Sequence, residues 1–300
     1  MLVMDSGVRR TENHIIMIFR SREQTDMITS SNNAKVKQVV QWQTKAKERR
    51  KDHVFLAEGV RMCEEAPVKS VREVYLTEEL EQKLRRNAQN GDTAFWDKLQ
   101  QTGYETVSPE VFAKMADTQT PQGILTVLEQ PSYDLAQLLE QSEPLFLILE
   151  NLQDPGNLGT MIRTGEGAGI TGVIMNGQTV DIFNPKTIRA TMGSIFRVPF
   201  VYVPELSPVL TQMHEKGIHT YAAHLKGKEY YDSFSFREPT AFLIGNEGNG
   251  LTKEISDQSG QYLKIPMEGK VESLNASIAA ALLMYEAHRQ RNLNSLHNSK

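Results

Sequence analysis

Three glycine-rich segments in the second half of the chain carry residue types that chemistry needs. The first is Glu150-Asn151-Leu152-Gln153-Asp154-Pro155-Gly156-Asn157-Leu158-Gly159, with Arg163 just beyond. An amide that both donates and accepts, followed by a permanent cation, suits a site that orients a polar substrate and stabilises negative charge. The same residues equally describe a helix cap and a surface ion pair. At 100° per residue Arg163 lies about 600° beyond Asn157, so the two border one cleft only if Asn157 is a loop or cap residue. The second segment, Leu243-Ile244-Gly245-Asn246-Glu247-Gly248-Asn249-Gly250-Leu251, sets one carboxylate among glycines that let backbone approach a ligand closely. A tight turn explains it nearly as well. The third runs from Ile265-Pro266-Met267 to Ser273-Leu274-Asn275-Ala276-Ser277, where Ser273 or Asn275 can cap the helix that follows. A fourth stretch, Gly167-Ala168-Gly169-Ile170-Thr171-Gly172, matches the dinucleotide fingerprint. Its context is reversed, with a helix before and a strand after, so it reads as a helix C-cap and turn.

These segments need elements to hold them. The run Leu145-Phe146-Leu147-Ile148-Leu149 predicts a strand buried on both faces of a parallel sheet. Further strands are predicted at 172–175, 200–203, 218–222, 241–244 and 262–265. They alternate with helices at 157–167, 185–195, 208–216 and 275–289, the pattern of a parallel α/β layer covered on both sides. The last helix is apolar nearly all round, so more than one side must be buried; the sheet covers one and a second subunit could cover another. Upstream, helices at 34–51, 59–65 and 79–87, a helix opening at Ser108-Pro109-Glu110, and strands at 54–57, 71–76, 102–107 and 123–128 predict a smaller α/β unit. The expected organisation is an extension over 1–27, a first domain over 28–130, a linker over 131–143 and a second domain over 144–294.

Composition narrows the function classes. With 300 residues, 39% hydrophobic and 23% charged, the chain reads as globular with two domains. Cys63 is the single cysteine, which excludes an intrachain disulfide and a cysteine zinc cage and fits a reducing compartment. The apolar residues 15–19 are too few for a membrane span or a signal-peptide core, so a cytoplasmic protein with no membrane partner is expected. The seven histidines show no ligand spacing, and no metal is assigned. Net charge is −4, yet Lys35, Lys37, Lys45, Lys47, Arg49, Arg50 and Lys51 face only Glu48 between residues 35 and 51. That local excess is a candidate phosphate-binding stripe, or a solvated helix face.

Taken together, the three segments resemble the SpoU (TrmH-like) branch of the SPOUT RNA methyltransferases. Asn157-Leu158-Gly159 with Arg163 is similar to the first family motif. Gly245-Asn246-Glu247-Gly248 with Leu251 is similar to the second. Ile265-Pro266-Met267 with Ser273-Leu274-Asn275 and Ser277 is similar to the third. Residues 28–130 more loosely resemble the substrate-binding domain of ribosomal RNA 2′-O-methyltransferases, through Asn33, Lys37, Phe55-Leu56-Ala57-Glu58-Gly59 and Thr120-Pro121-Gln122-Gly123-Ile124. The resemblance implies a parallel-sheet domain with a deep trefoil knot, a homodimer, and S-adenosylmethionine held by Gly245, Ile265, Leu274, Met267 and Leu243. It implies transfer of a methyl group to a ribose 2′-hydroxyl, with Arg163 activating that hydroxyl as a base or stabilising its developing charge, and Asn157, Glu247, Ser273 and Asn275 positioning the ribose and Arg163. RNA would bind Lys35, Lys37, Lys45, Lys47, Arg49 and Arg50; ribosomal RNA is favoured, with transfer RNA as the alternative. The competing readings are an RNA-binding protein without catalysis, and an oxidoreductase whose sole support is the reversed 167–172 match.

Overall fold

The strand run at Leu145–Leu149 sits near the middle of a seven-stranded sheet. The computed structural model describes residues 26–297, so residues 1–25 of the expected extension lie outside it. The chain first forms helices α1 (Ala34–Thr44) and α2 (Ala46–Asp52), strand β1 (Val54–Glu58), α3 (Val60–Glu65), β2 (Val71–Thr77), α4 (Glu78–Gln89), α5 (Ala94–Thr102), β3 (Glu105–Val107), α6 (Pro109–Met115) and β4 (Ile124–Glu129). Their sheet has the order β1-β4-β2-β3, with β4 antiparallel to both neighbours and β2 parallel to β3. Ser108 caps α6 through the Val111 amide with Pro109 at the first position, as its sequence predicts.

The helix expected over 34–51 is two helices. Lys45 is extended (φ −124°) between them. The physical reason is Arg49. Its Nη1 donates to the carbonyls of Trp42 (2.7 Å) and Gln43 (3.3 Å) at the end of α1, a cation closing a helix C-terminus. The break turns α2 back so that this contact forms. Helix α5 has no counterpart among the expected elements: only Phe95 and Leu99 of it are buried, too short an apolar pattern to read.

The second half contains α7 (Leu135–Leu139), β5 (Leu145–Leu149), α8 (Pro155–Ala168), β6 (Gly172–Asn176), α9 (Pro185–Thr191), β7 (Phe200–Val203), α10 (Ser207–Glu215), β8 (His219–Ala223), the short β9 (Glu229–Tyr230), β10 (Thr240–Ile244), α11 (Lys253–Gln258), β11 (Gln261–Lys264) and α12 (Ala276–His297). Seven parallel strands lie in the order β7-β6-β5-β10-β8-β11-β9. Strand β5 is buried throughout because it faces two cores. Leu145, Leu147 and Leu149 pack with α8 and α12, while Phe146 and Ile148 pack with α10 and α11. Gly169 ends α8 at φ +76°, and the Ile170 amide donates to the Gly165 carbonyl (3.0 Å). The 167–172 stretch is thus a glycine C-cap.

The two halves are packed into each other. Phe55, Ala57 and Met62 of the first share a core with Phe183, Ile188 and Ile195 of the second, and the rings of Phe55 and Phe183 lie 5.0 Å apart. Within residues 131–143, Leu138 and Leu139 of α7 are buried against the sheet. Among the described residues no helix is long and apolar enough to cross a membrane.

Candidate functional site

The parallel strands present their C-terminal ends to one edge, where polar loops follow β5, β8, β10 and β11. Ligands of open α/β sheets bind along such an edge. Three of these loops meet here. Asp154 caps α8 by accepting from the Asn157 amide (2.7 Å), so Asn157 lies inside the first turn and is not itself the cap. The Asn157 Nδ2 donates to Glu247 Oε1 (3.1 Å), and its Oδ1 accepts from Asn275 Nδ2 (2.9 Å). Asn275 in turn caps α12, with its Oδ1 accepting from the Ser277 amide (2.9 Å) and hydroxyl (2.7 Å). One amide therefore joins residues 90 and 118 positions away. Glu247 also accepts from the backbone amides of Gln153 (3.0 Å) and Asp154 (2.9 Å). Burial pushes its carboxyl up, but the amides of Asp154 and Gln153 and the Asn157 side chain prevail and hold its pKa below the usual glutamate value.

Beside this network lies a cavity of about 270 Å³. Gly245, Ile265, Met267 and Leu274, all expected at the donor, line it, and so do Glu247 and Ser273. Its walls combine apolar side chains with loop backbone, which suits a heterocycle and a ribose. Gly245 is a glycine for a local reason. A Cβ there would come within 2.1 Å of the Gly250 and Leu251 backbone, because the turn folds back on itself. Leu243, also expected at the donor, does not line the cavity. Strand side chains alternate, and Leu243 points to the opposite face, fully buried with Ile148, Ala222 and Leu251. Its neighbour Ile244 lines the cavity in its place.

Arg163 is not part of this network. It is exposed on α8 and, among the described residues, its side chain forms no hydrogen bond or ion pair; it does not line the cavity. With Asn157 helical, the two side chains leave α8 in different directions. The basic stripe is also divided. Lys37, Lys45, Lys47 and Arg50 are exposed, and Lys35 pairs with Glu105 (2.7 Å). Arg49, expected in the same stripe, is instead 3% exposed, with Nη2 on Asp181 of the other half (2.6 Å). Its adjacency to other cations in sequence hid its role as a helix cap.

Sequence reasoning missed His224 and Ala279, which also line the cavity. The His224 ring stacks on Tyr262 (4.8 Å), and its Nδ1 accepts from the Lys226 amide (3.1 Å). Burial and nearby Lys226 draw its pKa down, against Asp257. Its place just past strand β8 is the signal that could have found it.

The parallel sheet places a cavity and a three-loop amide network at its C-terminal edge, and comparison with known proteins gives the class of the domain. Residues 144–285 match the SpoU rRNA Methylase family, and residues 33–126 match the MRM3-like substrate binding domain. The chain is 34% identical over 261 residues to the 23S rRNA (guanosine(2553)-2′-O)-methyltransferase RlmP of Bacillus subtilis (strain 168), covering 86% of this chain and 97% of that protein. The crystal structure of the AdoMet-bound rRNA methyltransferase from Sinorhizobium meliloti superposes with a TM-score of 0.76 at 29% identity, covering 88% of this chain and 97% of that one. The SpoU methyltransferase AviRb from Streptomyces viridochromogenes, in complex with AdoMet, gives 0.74 at 27% identity, with 87% and 99% covered. The chain belongs to the SpoU rRNA methylase family.

Proposed function

We propose that the chain is an S-adenosylmethionine-dependent RNA 2′-O-ribose methyltransferase that acts on ribosomal RNA. One observation carries this reading: Asn157 ties Glu247 to Asn275 at the edge of the cavity lined by Gly245, Ile265 and Leu274. The apolar walls and loop backbone fit the adenosine part of the donor, which supplies an electrophilic methyl group when bound. The chain's own residues do the rest. Glu247, held ionised by amide donors, fixes the loop 150–154 against the turn 245–252. Asn275 and Ser273 orient the third loop over the cavity. A ribose hydroxyl is a weak nucleophile, and its proton passes to water or an RNA phosphate as the oxygen takes the methyl group. Arg163 faces the developing alkoxide and stabilises its charge, as a guanidinium with a pKa above about 12 is suited to do.

Arg163 reaches that position in a homodimer. Ile278, Leu282 and Tyr285 form an exposed apolar stripe on α12. Gly167, one turn beyond Arg163 on α8, lies against the Tyr285 hydroxyl. This face is the interface we assign, and across it Arg163 serves the partner's cavity. The C-terminal stretch that leads through β11 into α12 is read as the segment that threads the family's trefoil knot. The exposed cations Lys37, Lys45, Lys47 and Arg50 bind RNA phosphates. Cys63 is free and buried, its thiol pushed up to about 12 by burial, which fits a reducing cytoplasm.

The test is calorimetric titration with S-adenosylhomocysteine, followed by methyl transfer to ribosomal or transfer RNA. Micromolar binding lost in Ala279→Phe, and label recovered as a 2′-O-methylated ribosomal nucleotide, is the expected result. A bulky residue at Gly245 is a poor control, because it collides with backbone before it fills the cavity. Label in transfer RNA alone would move the substrate. RNA binding with neither donor binding nor transfer would favour a non-catalytic RNA binder.

A further inference from the structure

We infer that Glu150 is a positioning residue for the donor cavity: its buried carboxylate latches the turn 245–252 in the shape the donor requires. The inference rests on reading that cavity as the S-adenosylmethionine site. Glu150 follows strand β5 and is 4% exposed. Its amide donates to the carbonyl of Ile244, the last residue of β10 (3.0 Å). Its Oε2 accepts from the Thr252 amide and its Oε1 from the Thr252 hydroxyl, both at 2.7 Å. A carboxylate out of water needs such donors, and here both oxygens are committed to one residue. Thr252 is the position at which the chain leaves the cavity-lining turn, directly after Leu251. The Thr252 hydroxyl oxygen also accepts from the Ile255 amide and so caps α11.

The other end of the turn is held by the next residue. The Asn151 carbonyl accepts from Asn246 Nδ2 (2.9 Å), and Asn246 Oδ1 accepts from the amides of Gly248 and Asn249. Asn151 sits at φ +56°, a strained conformation for a residue with a side chain. Its amide and its Oδ1 are both engaged by the Asn176 side chain, which stabilises it there (3.0 and 2.7 Å). Between these anchors, Gln153 and Asp154 grip Glu247. The loop 150–154 is therefore the template against which the turn is set, and Glu150 is its anchor at the exit. Glu150 itself does not line the cavity, so its influence passes through Thr252.

The experiment measures hydrogen exchange of the ligand-free protein and calorimetric binding of S-adenosylhomocysteine. It uses wild type, Glu150→Ala, Glu150→Gln and Thr252→Val. Glu150→Ala is expected to speed exchange of the 248–252 amides and to weaken S-adenosylhomocysteine about ten- to hundredfold, the range for losing hydrogen bonds to a charged acceptor. Glu150→Gln keeps an acceptor for the Thr252 amide and a donor for its hydroxyl oxygen, so it should recover most of both. RNA affinity should stay constant across the series. Unchanged exchange in the turn overturns the latch. Faster exchange with unchanged S-adenosylhomocysteine affinity overturns the positioning role. Wild type that fails to bind S-adenosylhomocysteine, while Glu150→Ala still loosens the turn, sinks the donor reading and upholds the latch. Should Glu150→Ala not fold, Thr252→Val at an exposed position carries both readouts in the same direction.

Discussion

The three loops at the sheet edge and the basic helices dispose of their polar residues in opposite ways. In the loops, groups far apart in sequence converge: Asn157, Glu247 and Asn275 are drawn together and satisfy one another. In α1 and α2, groups adjacent in sequence part company. Arg49 enters the junction between the halves, while Lys47 and Arg50 stay in solvent. The difference follows from position. Loops at strand ends carry backbone donors and acceptors that must find partners, so polar side chains there are recruited into networks. A surface helix satisfies its own backbone, so a cation on it is buried only where it meets something specific. For Arg49 those partners are the open carbonyls of α1 and the carboxylate of Asp181.

The contrast can be broken at either end, and the largest effect belongs to Arg163. Arg163→Ala should cut turnover by about a hundred- to a thousandfold, the loss seen when a charge-stabilising donor is removed. Its S-adenosylhomocysteine affinity should remain that of wild type, since the charge Arg163 stabilises develops on the ribose oxygen and not on the donor. Near-normal turnover would take Arg163 out of the mechanism. A mixed dimer of Arg163→Ala with an Asn275→Ala chain should regain part of the activity if each site draws its arginine from the partner.

Next in size is Arg49. Removing one member of a buried ion pair costs about 3 kcal/mol, so Arg49→Ala should lower the unfolding midpoint substantially in a denaturant titration. A midpoint within experimental scatter of wild type would return Arg49 to the solvent-facing stripe. The matched change, Lys45, Lys47 and Arg50 all to Ala, should leave that midpoint unmoved. It should instead weaken RNA binding and lower its salt slope by about one unit for each phosphate no longer neutralised. An unaltered salt dependence would assign those three cations to a solvated face.

The smallest effect is a pH dependence. Because the folded-state pKa of Glu247 is depressed, its contribution is fully present above the ordinary glutamate range and is lost as pH falls through the folded value. The stability difference between wild type and Glu247→Gln should therefore narrow on acidification below about pH 4 and be constant near neutrality. A difference that widens as pH falls would reverse the assignment.

Much of the architecture was legible in the residues. The apolar run of β5 announces a strand covered on both faces, and Ser108-Pro109 opens α6 as its residue types require. The order of strand and helix also separates the Gly169 cap from a true dinucleotide loop. The motif residues Asn157, Glu247 and Asn275 were visible as candidates. Their mutual hydrogen bonds were not, because nothing local fixes which of several loops at a sheet edge will touch.

By itself, then, the sequence determined the parallel α/β layer, the caps, the family resemblance and the residues that could do chemistry. Those properties depend on side-chain period and on interactions within a few positions. Tertiary structure alone decided that Ile244 and not Leu243 faces the cavity, a matter of one-residue register on a strand buried on both sides. It alone turned Arg49 inward, aimed Arg163 away from its own cavity and placed Glu150 beneath the turn that ends at Thr252. Each of these depends on long-range packing between elements, which no local pattern encodes.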